Sequence, residues 1–247
     1  MRGNYVVLVL LAGFAACTAG KARAAPPDWF GIWEVEGVQI GASGTAETPW
    51  DEIQKNFGAP PSLTPEAKGK FESLLKMAPP LRKICEFGFP MVMLDSPLVF
   101  EVLTTPRETA MIFSAREMRH IYTDGRALPA PDERIPTHWG SSVGHWEGKT
   151  LVVETVATDR GGVWIWSGNH SELLALLGEQ TRYTERIRMI ARDTLEDQLT
   201  INDPAQFSHP WVMTHRYRRA RGITTMIHEE CEGNDRNPLV NGEFTIR

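Results

Sequence analysis

Hydrophobic and polar residues alternate with period two over most of the chain beyond residue 98. Leu98–Thr104, Thr109–Ala115 and Met118–Tyr122 read as short β-type runs, with Pro106 and a Thr123-Asp124-Gly125 turn between or after them. Thr150–Thr158 follows a Glu147-Gly148-Lys149 hairpin signal, and Thr181–Asp193, Leu195–Asn202, Pro210–Arg218 and Thr224–Cys231 complete the series. Near the N-terminus, Gly31-Ile32-Trp33-Glu34-Val35 alternates in the same way. Strands this closely spaced, with no crossover helices between them, predict an all-β fold. The expected architecture is an antiparallel meander of about eight or nine strands closed into a barrel or half-barrel.

Three segments break this period. Thr48 as N-cap, Pro49 at the first helical position and Trp50, Ile53 and Phe57 on one face predict a short helix ending at Gly58. Thr64 and Pro65 open a second, with Ala67, Phe71, Leu74 and Leu75 at helical spacing until Pro79-Pro80. The third is Asp159–Gln180, an aromatic-rich insertion between two strands containing Gly161-Gly162, Trp164, Trp166 and Gly168. Asn169 with Glu172 three residues on resembles a capping box for a short helix ended by Gly178. An insertion of this kind belongs at a barrel mouth, where it would act as a lid.

Strand parity points to the candidate chemistry. Along Thr181–Asp193 the apolar face carries Tyr183, Ile187 and Met189, and Glu185 falls among them; along Pro210–Arg218 it carries Trp211, Met213 and Tyr217, with His215 among them. Arg182, Arg186, Arg188, Arg216 and Arg218 fall on the opposite faces. An inward carboxylate and an inward imidazole in an apolar barrel would have perturbed acidities and would serve as acid and base. The alternative is structural: a glutamate bonded to a tyrosine or arginine, and a core histidine satisfied by a carbonyl. His170, beside Trp164 and Trp166 in the insertion, is the third candidate acid or base, against a helix-start role for it and for Glu172. Trp164, Trp166, Tyr183, Met189, Trp211, Met213 and Tyr217 are the expected ligand-lining residues, which suits an aromatic or otherwise apolar small molecule.

Composition narrows the setting. Hydrophobic residues make up 42% of the 247 and charged residues 23%, which excludes disorder as the main state. Lys+Arg 26 against Asp+Glu 31 leaves no basic excess for a phosphate backbone, so nucleic acid is not an expected partner. Arg2, the apolar run Val6–Cys17 and Ala22-Arg23-Ala24 read as a secretory signal peptide over residues 1–24, too short for a membrane span. Residues 25–247 are then a single barrel domain, periplasmic or secreted. A rival reading makes Phe14-Ala15-Ala16-Cys17 an imperfect lipobox and Cys17 a lipid anchor. In the mature chain only Cys85 and Cys231 remain, and the exported setting favours a disulfide between them over two separate buried thiols. Such a bridge would contribute about 4–5 kcal/mol in the entropic account.

Several stretches resemble a large, mostly uncharacterised family of secreted bacterial proteins. They are Tyr122-Thr123-Asp124-Gly125-Arg126, the block from Gly140-Ser141-Ser142-Val143-Gly144 through His145-Trp146-Glu147-Gly148-Lys149 to Thr150-Leu151-Val152-Val153-Glu154-Thr155, His170-Ser171-Glu172, Thr184-Glu185-Arg186, Asp203-Pro204 with Pro210-Trp211, and Cys231-Glu232-Gly233-Asn234. The resemblance implies a lipocalin-like barrel, which Gly31-Ile32-Trp33 echoes in its Gly-x-Trp pattern, and it names no reaction. Family members often carry histidine where this chain has Ser141.

Gly140-Ser141-Ser142-Val143-Gly144 also matches G-x-S-x-G, but a nucleophile elbow needs a helix after the serine. Here a Val-rich strand follows, so a Gly-flanked strand with a bulge or tight bend is the expected structure. No zinc-type spacing and no G-x-G-x-x-G or Walker pattern occurs, so neither metal nor nucleotide cofactor is expected. The function these features suggest is a cofactor-independent lyase or isomerase using His170 or His215 and Glu185 on a bound aromatic or apolar molecule. A non-catalytic carrier with the same pocket is the alternative.

Overall fold

A computed structural model describes residues 27–36, 61–75, 89–90, 93, 99–113, 118–159, 177–226, 239–240 and 243–244. The signal peptide, Cys17, the Thr48 helix, the Cys85–Cys231 pairing and the insertion residues Trp164, Trp166, His170 and Glu172 lie outside the described residues.

Nine strands form a closed barrel in sequence order: β1 (Gly31–Val35), β2 (Phe100–Thr104), β3 (Glu108–Phe113), β4 (Met118–Tyr122), β5 (Ser141–Glu147), β6 (Thr150–Val156), β7 (Arg182–Ala191), β8 (Thr194–Asn202) and β9 (Trp211–Arg219). β1 closes the ring, pairing with β2 through Ile32 and Glu101 and with β9 through Glu34 and Arg218. A two-stranded ribbon, β10 (Leu239–Val240) with β11 (Glu243–Phe244), stands apart from the barrel sheet.

Two details depart from the expected meander. Thr224–Met226 is not strand, and the remainder of that expected strand lies outside the described residues; the ring gains β5, the Gly-flanked segment of the G-x-S-x-G motif, in its place. The pairing of β4 with β5 is parallel, through Ile121–Ser142 and Tyr122–Val143. Geometry requires such a seam, because an odd number of strands cannot alternate direction all the way around a closed ring. The long connection from residue 123 to 140, with a 3-10 turn at Pro131–Glu133, returns the chain to the starting end and makes the parallel step possible.

The two barrel ends differ. Tight turns between β2 and β3, β5 and β6, and β7 and β8 gather at one end, and Trp29 and Trp33 are buried there. Trp29 packs edge-on against Trp146, Trp33 donates its indole N–H to the Trp29 carbonyl, and the Arg219 guanidinium lies over the Trp33 ring. Arg219 also donates to the Phe30 carbonyl, which ties the first strand to the last. The connections after β1, β3, β6 and β8 leave from the other end.

The helix α1 (Pro65–Leu75) sits at that end. Thr64 caps it by accepting from the Ala67 amide at 3.2 Å, as its sequence predicts. Leu63 bridges to Phe207 and the Thr64 amide donates to the Gln206 carbonyl, which docks the helix entry on the β8–β9 connection and buries Ala67. Outside the barrel, Arg188 and Arg216 both bond Glu196, Arg186 bonds Glu147 and Arg218 bonds Glu34. Four of the five predicted outward arginines therefore form cross-strand charge pairs on a solvated face.

Candidate functional site

Among the described residues the buried side chains are mostly apolar, and Arg119, Ser142, Thr155, Glu185, Asp197 and His215 form a polar belt among them. Alternation along β7 buries Tyr183, Glu185 and Ile187 and leaves Met189 half-buried; along β9 it buries Trp211, Met213, His215 and Tyr217. The same alternation turns two further groups inward that the sequence reading did not single out. Arg119 shares a face of β4 with Ile121, and Asp197 shares a face of β8 with Leu195, Leu199 and Ile201. Register then sets the neighbours: Asp197 lies opposite His215 on one side and Ile187 on the other, with Glu185 one pleat away.

Arg119 and Glu185, both fully buried, make a two-pronged ion pair: Nη1 donates to Oε1 at 2.7 Å and Nη2 to Oε2 at 2.5 Å. Arg119 Nη2 also donates to Thr155 Oγ1 at 3.0 Å, and Thr155 is hydrogen-bonded to Ser142 at 2.8 Å. Ser142 is thus a buried strand residue in the arginine's hydrogen-bond shell, followed by more strand and not by a helix. It is not placed as an elbow nucleophile. The arginine bonding anticipated for Glu185 as a structural alternative is what the fold builds, and it ties up both carboxylate oxygens.

Asp197 and His215 have a different character. Burial first, and then the Glu185 charge, hold the Asp197 carboxyl well above the usual carboxylate range, which favours its protonated, neutral form. A side-chain hydrogen bond links Asp197 to the Glu185 carboxylate, and Arg119 Nε has no hydrogen-bond partner among the described residues. Burial pushes the His215 imidazole down to about 4, so it is neutral. A neutral acid and a neutral imidazole therefore face one another across β8 and β9. Burial also pushes the Tyr183 and Tyr217 hydroxyls up, which keeps both protonated.

One loop segment reaches into this interior. The Phe89 ring lies 4.0 Å from the Arg119 guanidinium carbon and edge-on to Tyr183, and the Met93 carbonyl accepts a 2.7 Å hydrogen bond from the Tyr217 hydroxyl. Phe89 and Met93 are both buried, so chain atoms cover part of the space that an open-barrel reading leaves to a ligand. The structure brings Glu185, His215, Tyr183, Trp211, Met213 and Tyr217 into one interior.

Among the described residues no three His, Cys, Asp or Glu side chains come together as a metal site, and no helix is long and apolar enough to cross a membrane. Asp124 holds the turn after β4: it accepts from the Arg126 amide and guanidinium, and those bonds hold its carboxyl far below the usual carboxylate range.

No family model matches the chain, and no curated protein matches it. Among solved structures it is similar to crystal structures of the fluorescent protein UnaG. A mutant of that protein is 13% identical with a TM-score of 0.34, covering 78% of this chain and 96% of that one. The wild type is 14% identical with a TM-score of 0.31, covering 78% and 97%. The fold assignment stands on the chain's own strand pairing, which makes it a closed, nine-stranded all-β barrel.

Proposed function

We propose that this chain is an exported barrel protein that binds one small, largely apolar or aromatic molecule in its interior. Asp197 carries this reading. A fully buried acid set against the buried Glu185 carboxylate, beside an Arg119 Nε–H with no partner among the described residues, is costly in a core that serves only as packing. A ligand oxygen that engages this polar group would offset that cost, while the surrounding Ile187, Leu199 and Met213 supply apolar contact.

The finer form of the proposal is cofactor-independent acid–base chemistry, a lyase or isomerase. His215 and Asp197 replace Glu185 as the acting pair, because Arg119 holds both Glu185 oxygens. The carrier reading has its own supporting observation: an imidazole pushed down to about 4 is a poor base at neutral pH.

Incubation with a panel of phenolic, diaryl and steroid-like compounds separates the two readings. With mass and retention time both followed, the lyase–isomerase reading predicts a time-dependent loss of water, carbon dioxide or formaldehyde, or a retention shift at constant mass. It predicts that Asp197→Asn and His215→Gln each lower turnover at least 100-fold, an estimate of order for a positioned acid or base, while leaving binding intact. Retention of unchanged compounds makes the protein a carrier. Failure to bind any of the panel rejects the proposal.

A further inference from the structure

A second acid–base pair lies outside the interior belt, at the end of the barrel where β5 starts and β6 finishes. His138 Nδ1 meets Asp159 Oδ1 at 2.8 Å, with side chains 39% and 33% exposed. His138 precedes β5 and Asp159 follows β6, so the pair closes over the ends of two neighbouring strands. The backbone holds it there: Thr137 donates to the Ala157 carbonyl, Asp159 donates to the Thr137 carbonyl at 2.9 Å, and Phe89 donates to the His138 carbonyl at 2.8 Å.

Two residues in this turn have left-handed backbones. Gly140 has φ of 63°, and a Cβ there would come within 2.4 Å of the Val156 carbonyl oxygen. Ala157, at φ of 58°, is the one non-glycine residue with positive φ among those described. An alanine in this conformation is strained, and strain of this kind gathers where a site needs a geometry that an ordinary strand end does not provide.

The remaining histidine–carboxylate pairs differ. His120 with Glu108, and His145 with Glu147, lie within the faces of regular strands, where a solvated ion pair is the ordinary outcome.

We infer that His138 and Asp159 form a proton-accepting site at the barrel mouth for the phenolic hydroxyl of an aromatic ligand. The inference rests on the proposed binding of a small aromatic molecule and names its class. With Nδ1–H donated to the Asp159 carboxylate, the His138 lone pair is on Nε2. The ligand O–H bond breaks and an Nε2–H bond forms; the electron pair stays on the ligand oxygen, and Asp159 balances the imidazolium charge. The proton returns when the phenol leaves. Trp139, next to His138 in the chain and stacked on Phe113 with centroids 5.0 Å apart, supplies aromatic surface beside the pair. Tyr183 at the same end does not compete for the proton: its hydroxyl is hydrogen-bonded to Thr158, and burial keeps it protonated.

The test uses 4-nitrophenol, whose phenolate absorbs at longer wavelength than the phenol, and 4-nitroanisole, which has no O–H. Binding is measured by equilibrium dialysis, and the absorption of bound 4-nitrophenol is titrated against pH. The expected result is a bound phenolate that appears about one pH unit or more below the free titration. His138→Gln should abolish that shift with binding and circular dichroism retained, and Asp159→Asn should reduce it. An unshifted titration, or an equal shift in His138→Gln, overturns the inference while leaving small-molecule binding intact. Binding of 4-nitroanisole without 4-nitrophenol does the same. If neither compound, nor any of the wider panel, binds the wild-type protein, the proposed function fails and the inference falls with it.

Discussion

Replacing Arg119 with methionine is expected to lower the unfolding free energy by about 3–5 kcal/mol, a large share of what a domain of this size has. Coulomb attraction is the smaller part of the reason. The variant leaves the Glu185 carboxylate fully buried, with its two bonds removed and Asp197 as its neighbour. Removing both partners together avoids that penalty. The double variant Arg119→Met with Glu185→Leu should recover most of the loss, since Ser142 and Thr155 still bond each other. Urea unfolding at pH 7 measures both. A single variant that loses less than about 1 kcal/mol, or a double variant as weak as the single, would show that the pair is not a closed unit within the core.

The buried acid and imidazole are expected to give opposite pH dependences. His215 takes up a proton near 6.5 when unfolded but only near 4 in the fold, so between those values the unfolded chain binds the extra proton and acid destabilises the protein. The full difference is worth about 3 kcal/mol. Asp197 behaves in the reverse sense. Its raised acidity range in the fold means that the unfolded chain releases its proton first, so stability is lost as pH rises through the carboxylate range and above. In the wild type the two trends partly cancel between about pH 4 and 6.5. Asp197→Asn should therefore raise stability at neutral pH and uncover a steep rise with pH across that window. His215→Gln should uncover the opposite slope, against the background of the remaining carboxylates. Chemical unfolding at half-unit pH steps reads both. Parallel profiles for the two variants would contradict the assignment of a neutral pair.

Much of this interior was legible from period-two alternation. Glu185 and His215 are flanked two residues away by apolar side chains on strands of nine or ten residues, so parity has enough repeats to fix their face. Asp197 had the same signal in Leu195, Leu199 and Ile201 and was readable in principle. Arg119 was harder, because β4 is five residues long and Ile121 is its only inward apolar companion. The parallel seam between β4 and β5 was hidden for a different reason. Glycines at 140 and 144 weaken the strand pattern, and the direction of a strand depends on where an 18-residue connection travels. Gly144 itself is explained by packing: a Cβ there would sit 3.1 Å from both Ile121 and Leu151 side-chain atoms. His138 and Asp159 lie 21 residues apart on separate strand ends, and only closure of β5 on β6 brings them together. The reach of Phe89 and Met93 into the barrel left no periodic trace in so short a segment.

Binding inside the barrel is the central claim, and methionine methyl NMR tests it most directly. Met93, Met111 and Met213 are buried in the interior, and Met118 is exposed on the outer surface. With methyl-labelled protein and the aromatic panel, the account predicts that the signals of Met111, Met213 and Met93 shift saturably on ligand addition while Met118 stays in place. Shifts confined to Met118, or interior signals unmoved by every compound at millimolar concentration, would mean that the barrel is a filled core.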